Sequence, residues 1–241
     1  MIEKVLPVDI AWAEAFGDRV DAVLFPDEAA AVARAIDRRR REFATARTLA
    51  REALAGLGVA PASVPPGQRG APRWPPGVVG SITHCAGYRA AAVGRADRVR
   101  AIGIDAEPEG PLPDGVLGRV SLPAERAMLR DLAAVPGPRW DLLLFSAKES
   151  VYKAWFPLTG RWLGFEDAEV AIDPAAGTFT ARILVADRSA TDGAAAGTGL
   201  PGEPVPGVLR GRWLASDGIL LTAVTVPPGM RSATETPTPY G

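Results

Sequence analysis

Phe145-Ser146-Ala147-Lys148-Glu149-Ser150-Val151-Tyr152-Lys153, read with the earlier Gly103-Ile104-Asp105-Ala106-Glu107, decides how this chain is interpreted. The first segment holds no glycine or proline before Pro157, which predicts a helix over 141–156 that stops there. On that helix Glu149 and Lys153 stand one turn apart on a shared face, with Tyr152 beside them. The second segment is a short apolar run ended by charge and by Pro108, so it predicts a strand over 101–107. Alternation along it turns Asp105 and Glu107 to the same side. Together the pieces supply three carboxylates and a lysine. Carboxylates are hard oxygen donors that favour Mg²⁺ or Mn²⁺ over zinc, and Mg²⁺ commonly completes its octahedron with water and substrate phosphate. The set therefore points to a phosphate ester or anhydride, with Lys153 neutralising a phosphate oxygen. The plainer alternative is a strand end at the surface and an ordinary helical ion pair.

Composition narrows the function classes. A chain of 241 residues with 47% hydrophobic content can bury a substantial core as one or two domains. No stretch approaches the roughly 18–20 apolar residues of a membrane span. Glu3, Lys4 and Asp9 interrupt any signal-peptide core. Cys85 is the single cysteine, so no internal disulfide framework exists, and a cytoplasmic protein is expected. A formal net charge of −1 argues against nucleic acid held by bulk charge. Any anion site must be local.

Outward from the two segments, residues 27–58 predict one or two helices between Pro26 and the pair Gly56 and Gly58. They carry a basic run from Arg38 to Arg41, followed by Arg47 and Arg51, which is either a solvated face or an anion site. Residues 61–76 are rich in proline and glycine and read as a loop bearing Arg69. Residues 78–84 read as a strand that delivers Thr83 and His84, the only histidine. A helix over 123–132 and strands over 168–173, 178–185 and 208–226 follow, the last broken by a hairpin turn at Ser216-Asp217-Gly218. Residues 187–207 and 227–241 lack large apolar side chains and are expected to be a flexible insertion and a flexible tail.

Gly103–Glu107 and Phe145–Lys153 resemble the two signature motifs of the Sfp-type 4′-phosphopantetheinyl transferases. Gly80-Ser81-Ile82-Thr83-His84 is similar to the family's Ser/Thr-His motif, and Gly70-Ala71-Pro72 to its Gly-x-Pro loop. Arg39 to Arg47 resembles the basic helix of the actinobacterial branch that serves fatty-acid, polyketide and nonribosomal peptide synthases. The resemblance implies an α+β fold with a pseudo-twofold duplication, each half having a small antiparallel sheet and flanking helices. The expected division is an N-terminal half, 1–102, that anchors the nucleotide, a C-terminal half, 103–226, with the metal site, and the tail.

It also implies that the chain is a monomer that moves the phosphopantetheine arm of coenzyme A onto a serine of apo acyl or peptidyl carrier proteins. Asp105, Glu107 and Glu149 would hold Mg²⁺, or Mn²⁺. Arg39, Arg47, Arg69, Thr83, His84, Lys148 and Lys153 would bind coenzyme A, which carries about −4 near neutral pH. Glu149 or Glu125 would take the serine proton, with Glu125 alternatively a first-turn glutamate favoured by the helix dipole. Lys148 and Tyr152 are further candidates for that proton, or simply pack or are solvated. Val116, Leu117, Val120, Met128 and Leu129, interleaved with Arg119, Arg126 and Arg130, form either a carrier contact rimmed by positive charge or ordinary core. Two other readings use the same residues: a Mg²⁺-dependent phosphohydrolase, and a non-catalytic module that binds coenzyme A or a nucleotide.

Overall fold

The computed structural model describes residues 1–185 and 204–228, so the insertion and tail expected at 187–207 and 227–241 lie largely outside the described residues. In chain order the elements are β1 (Ala11–Ala15), α1 (Pro26–Ala31), α2 (Asp37–Gly56), β2 (Val78–Cys85), β3 (Tyr88–Arg95), β4 (Ala101–Pro108), α3 (Val116–Val120), α4 (Pro123–Leu132), α5 (Trp140–Thr159), β5 (Ala168–Asp173), β6 (Thr178–Ile183), β7 (Val208–Ser216) and β8 (Ile219–Val226). They build two antiparallel sheets, ordered β1-β3-β2 and β4-β8-β7-β6-β5. In both, a strand leads into helices, later strands return, and the first strand pairs with the last, so β1-β3-β2 repeats as β4-β8-β7. The hairpin of β5 and β6 extends the second copy. This is the duplicated α+β architecture that the motifs imply.

Each half packs a long helix on its sheet. Leu49, Ala50, Ala53 and Leu54 of α2 meet Val78, Ala91 and Val93, while Leu144, Ala147, Val151 and Ala154 of α5 meet Ala101, Phe179 and Val224. Leu49 and Leu144 have no exposed surface, and cutting either to alanine would cost about 2–5 kcal/mol. Among the described residues no helix is long and apolar enough to cross a membrane.

The halves meet where β2 and β4 run side by side. Ser81 Oγ accepts the Ile104 N–H at 3.1 Å and Thr83 Oγ1 accepts the Ala106 N–H at 3.0 Å, so hydroxyls satisfy backbone donors that no neighbouring strand reaches. The chain changes sheets between β3 and β4, at residues 96–100, a little ahead of the expected division after residue 102.

Helix α5 does not stop at Pro157. It runs on to Thr159 and ends at Gly160, whose φ of 65° is left-handed and whose N–H donates to Phe156 O at 2.8 Å. Proline near a helix end costs one hydrogen bond while keeping a helical φ, so the glycine sets the stop. The β7–β8 turn is as expected, with Asp217 at φ 54° and Gly218 at φ 73°.

Candidate active site

At the seam, β4 delivers Asp105 and Glu107 toward α5. Asp105 is 4% exposed; its Oδ1 accepts from Lys153 Nζ at 2.7 Å and its Oδ2 from Ser146 Oγ at 2.8 Å. Lys153 also donates to Ile104 O at 3.1 Å. Its partner is thus the strand aspartate and not Glu149 one turn earlier. Burial, then the charge of Asp105, pushes the Glu107 carboxyl up to about 7, with Lys153 opposing and Glu149 adding to the rise. Burial also raises Glu149, against the pull of Lys153 and with a push from Asp105. The three carboxylates therefore feel one another, as the alternation and helix spacing predict.

A cleft of about 650 Å³ opens along β2 and α5, lined by Glu149, Tyr152 and Lys153, by Gly80, Ser81 and Ile82, and by Arg69, Arg73 and Trp74 of the loop before β2. Gly80 is needed there, since a Cβ would lie 2.8 Å from the Trp74 ring and 2.6 Å from Ala92 O. Arg69 lies over the Trp162 ring, 5.2 Å from its centroid, and Trp162 in turn packs on Tyr152.

The basic helix supplies a second cluster. Arg39 Nη1 lies 2.6 Å from His84 Nε2. Guanidinium can only donate, so Nε2 is the acceptor and Nδ1 carries the ring proton. Partial desolvation, then the Arg39 charge, holds the imidazole down at about 4, leaving it neutral near pH 7. Arg47 is 5% exposed and stacks on Phe43 at 4.0 Å, and its Nε has no hydrogen-bond partner among the described residues. Burial brings its pKa down to about 10, so it remains a cation. A buried, unpaired arginine nitrogen is the kind of donor an anion satisfies.

Several expectations change. Glu125 is not placed to take a serine proton. Oε2 accepts from Leu122 N at 2.7 Å and from Lys148 Nζ at 2.8 Å, Oε1 accepts from Val170 N at 2.7 Å, and the side chain is 0% exposed. It caps α4 and ties it to α5 and β5. Lys148, 2% exposed at its side chain, is correspondingly committed to Glu125 and to Phe165 O at 2.6 Å and does not stand ready as a coenzyme A contact. Thr83 is 2% exposed, and its hydroxyl accepts at the β2–β4 seam instead of facing a ligand. Val120 is buried, and Leu117, Met128 and Leu129 pack against the core, so four of the five apolar residues of the supposed carrier contact belong to the core, while Val116 is half-buried. Arg119 and Arg130 are exposed, while Arg126 donates to Ser121 O at 2.6 Å.

The donor chemistry of Asp105, Glu107 and Glu149 suits a hard divalent cation: oxygen ligands only, mutually repelling, around one lysine. Among the described residues, however, no group of three acidic, histidine or cysteine side chains is drawn together as a closed metal cluster. Convergence of the three is electrostatic in this arrangement, with Lys153 on Asp105.

Four residues outside the predicted set shape the site: Ser146, which donates to Asp105, Thr222, which meets Ser146, and Arg73 and Trp74 in the cleft wall. Arg73 and Trp74 directly follow the Gly70-Ala71-Pro72 loop, where proximity to Arg69 was a usable signal. Thr222 gave one too, as a polar residue in the apolar run from Ile219 to Val226.

Residues 27–94 match the family model described as the 4′-phosphopantetheinyl transferase N-terminal domain, and residues 101–195 match that of the 4′-phosphopantetheinyl transferase superfamily. The chain is 54% identical over 230 residues to 4′-phosphopantetheinyl transferase Svp of Streptomyces mobaraensis, spanning 94% of this chain and 89% of that one. It is 48% identical over 235 residues to PptT of Mycobacterium tuberculosis, covering 94% and 98% of the two chains. With Npt of Nocardia iowensis the figure is 47% over 231 residues, covering 93% and 99%. Matching models for both halves, and this identity across nearly the whole length, mean that the chain belongs to the 4′-phosphopantetheinyl transferase superfamily.

Proposed function

We propose that the protein transfers the 4′-phosphopantetheine arm of coenzyme A to a serine of apo acyl or peptidyl carrier proteins. The observation that carries this reading is the shared cleft into which α5 presents Glu149 and Lys153 and the loop before β2 presents Arg69 and Arg73. Coenzyme A is the substrate, and the C-terminal half carries the chemistry while the N-terminal half anchors the nucleotide. Arg39, Arg47, Arg69 and neutral His84 would hold the nucleotide phosphates, His84 through Nδ1–H. Lys153 would take a phosphate oxygen while staying within reach of Asp105.

Asp105, Glu107 and Glu149 would hold Mg²⁺, with Mn²⁺ as a substitute. When bound, the ion supplies charge neutralisation to the pyrophosphate. In the transfer the serine oxygen forms a bond to the pantetheine-side phosphorus, and the bridging P–O bond breaks with its electron pair leaving on adenosine 3′,5′-bisphosphate. The serine proton would go to Glu149, directly or through water, because Glu149 lines the cleft whereas Glu125 is sealed among its own donors. Positioning and electrostatics carry most of such a reaction. The duplication places both halves in one chain, which supports a monomer.

Intact mass of an apo carrier protein, after incubation with this protein, Mg²⁺ and coenzyme A, tests the reading. A carrier heavier by the phosphopantetheine arm is expected. Coenzyme A cleaved with the carrier unchanged would indicate a phosphohydrolase, and coenzyme A bound but intact would indicate a binding module.

A further inference from the structure

The two oxygens of Asp105 have different surroundings. Oδ1 faces Lys153, whereas Oδ2 accepts from Ser146 Oγ at 2.8 Å inside the fold. Ser146 is joined in turn to Thr222 of β8, with 2.9 Å between the hydroxyl oxygens and 2.9 Å from Thr222 Oγ1 to Ser146 O. Asp105 is 4% exposed, Ser146 0% and Thr222 1%. Charge decides the direction of donation. The carboxylate is the strongest acceptor and takes the one hydroxyl proton of Ser146, so Thr222 donates toward Ser146. Thr222, with its single proton, donates to Ser146 at the backbone carbonyl or the hydroxyl oxygen, and Ser146 donates to Asp105.

Packing alone does not call for this chain of hydroxyls. Thr222 stands opposite Asp105 in the β4–β8 register, within the apolar run Ile219-Leu220-Leu221-Thr222-Ala223-Val224. Valine would fill the same volume without a polar atom to bury. Ser146 has a short reach, and it meets Asp105 only because α5 lies against β4. A Cβ on Gly103, two residues before Asp105 on the same face of the strand, would lie 1.9 Å from the carbonyl oxygen of Ser150, one helical turn after Ser146. The terminal torsion of an aspartate is broad, so its carboxylate plane must be set by hydrogen bonds and not by the rotamer.

We infer that Ser146 and Thr222 are positioning residues for the transfer: they fix the Asp105 carboxylate so that Oδ2 is held inside and Oδ1 is presented to Lys153 and the cleft. The inference rests on the transferase reading for its kinetic part, and on the carboxylate site alone for its binding part. Neither hydroxyl touches substrate; both act through Asp105.

The test compares Ser146→Ala, Thr222→Val and Thr222→Ser in the full chain by transfer to an apo carrier, by Mn²⁺ titration calorimetry without carrier, and by thermal unfolding. Losing hydrogen bonds to a cation-binding carboxylate commonly costs about 10–100-fold in affinity or activity. Ser146→Ala should lower kcat by about tenfold and weaken Mn²⁺ binding by a similar factor, with KM for coenzyme A within about twofold. Thr222→Val should fall in the same direction, and Thr222→Ser, which keeps the hydroxyl, should stay near the parent. Ser146→Ala with parental kcat and Mn²⁺ affinity would overturn the inference, as would Thr222→Ser falling as far as Thr222→Val. If Ser146→Ala does not fold, the two Thr222 variants decide the question. A parent that leaves the carrier unmodified would defeat the transferase reading, while the Mn²⁺ titrations would still judge the positioning role.

Discussion

Helix α5 carries two lysine–carboxylate pairs that look alike in the sequence and differ in the fold. Lys148 and Glu125 meet at 2.8 Å with side chains 2% and 0% exposed, and every oxygen of Glu125 already has a donor. Lys153 and Asp105 meet at 2.7 Å, but Lys153 is 28% exposed and lines the cleft. The same chemical pair is scaffolding where it is sealed and fully partnered, and it belongs to the site where one end is open and more carboxylates crowd it. A buried pair is costly to break because the surviving charge has nowhere to go. An open pair can exchange one partner for a ligand.

Replacing Glu149 by glutamine should break the open side of this contrast most completely. Transfer should fall by about a thousandfold or more, which is more than 4 kcal/mol of barrier, with the melting temperature nearly unchanged. Turnover near the parent's would remove Glu149 from the chemistry.

The sealed pair should respond in the opposite sense. Glu125→Ala leaves Lys148 buried and unpaired and should cost about 3–5 kcal/mol in denaturant unfolding. A Glu125→Leu, Lys148→Met double variant should recover most of that and retain transfer. A stable double variant that transfers nothing would return Lys148 to the site.

Helix α2 repeats the contrast more weakly. Arg51 is bound to the fully buried Glu28 at 2.9 Å, whereas the Nε of Arg47, one turn earlier, has no hydrogen-bond partner among the described residues. Arg47→Ala and Arg39→Ala should raise KM for coenzyme A by roughly tenfold, as expected for losing a charge-assisted contact, and should raise it less for dephospho-coenzyme A. Equal losses with both substrates would place these arginines at another phosphate.

Acidity gives the smallest effect. His84 titrates near 4 when folded against an ordinary 6.5, so the unfolded chain binds its proton first and stability is lost as pH falls through that interval. Glu107 titrates near 7 against 4.5, so the folded chain keeps the proton and stability is lost as pH rises between those values. Melting temperatures followed against pH in chelator should lose the acid slope in His84→Gln and the neutral slope in Glu107→Gln. A variant whose profile parallels the parent's would show that its group is not shifted by the fold.

Strand β4, helix α5, helix α4 and the Asp217-Gly218 turn were legible because their signals are local: an apolar run closed by charge, a stretch free of breakers, a proline at a helix start, two residues suited to left-handed backbone. Strands β1 and β3 were not. Tyr88-Arg89-Ala90-Ala91-Ala92-Val93-Gly94-Arg95 is buried at all but its last residue, so it shows no alternation, and its alanines carry little strand preference.

The sequence by itself determined which groups exist and which neighbours they have along the chain. Asp105 and Glu107 share one face of a strand, Glu149 and Lys153 share one face of a helix, and a basic run opens α2. The tertiary structure alone decided which of these charges are enclosed. Glu125, Lys148 and Thr83 were drawn inward by backbone donors and acceptors that had no other partner, and Lys153 was set on Asp105 instead of Glu149. The physical reason is that hydrogen bonding and desolvation depend on atoms brought close by folding, and residues as far apart in sequence as Asp105, Ser146 and Thr222 share an environment only after β4, α5 and β8 have packed together.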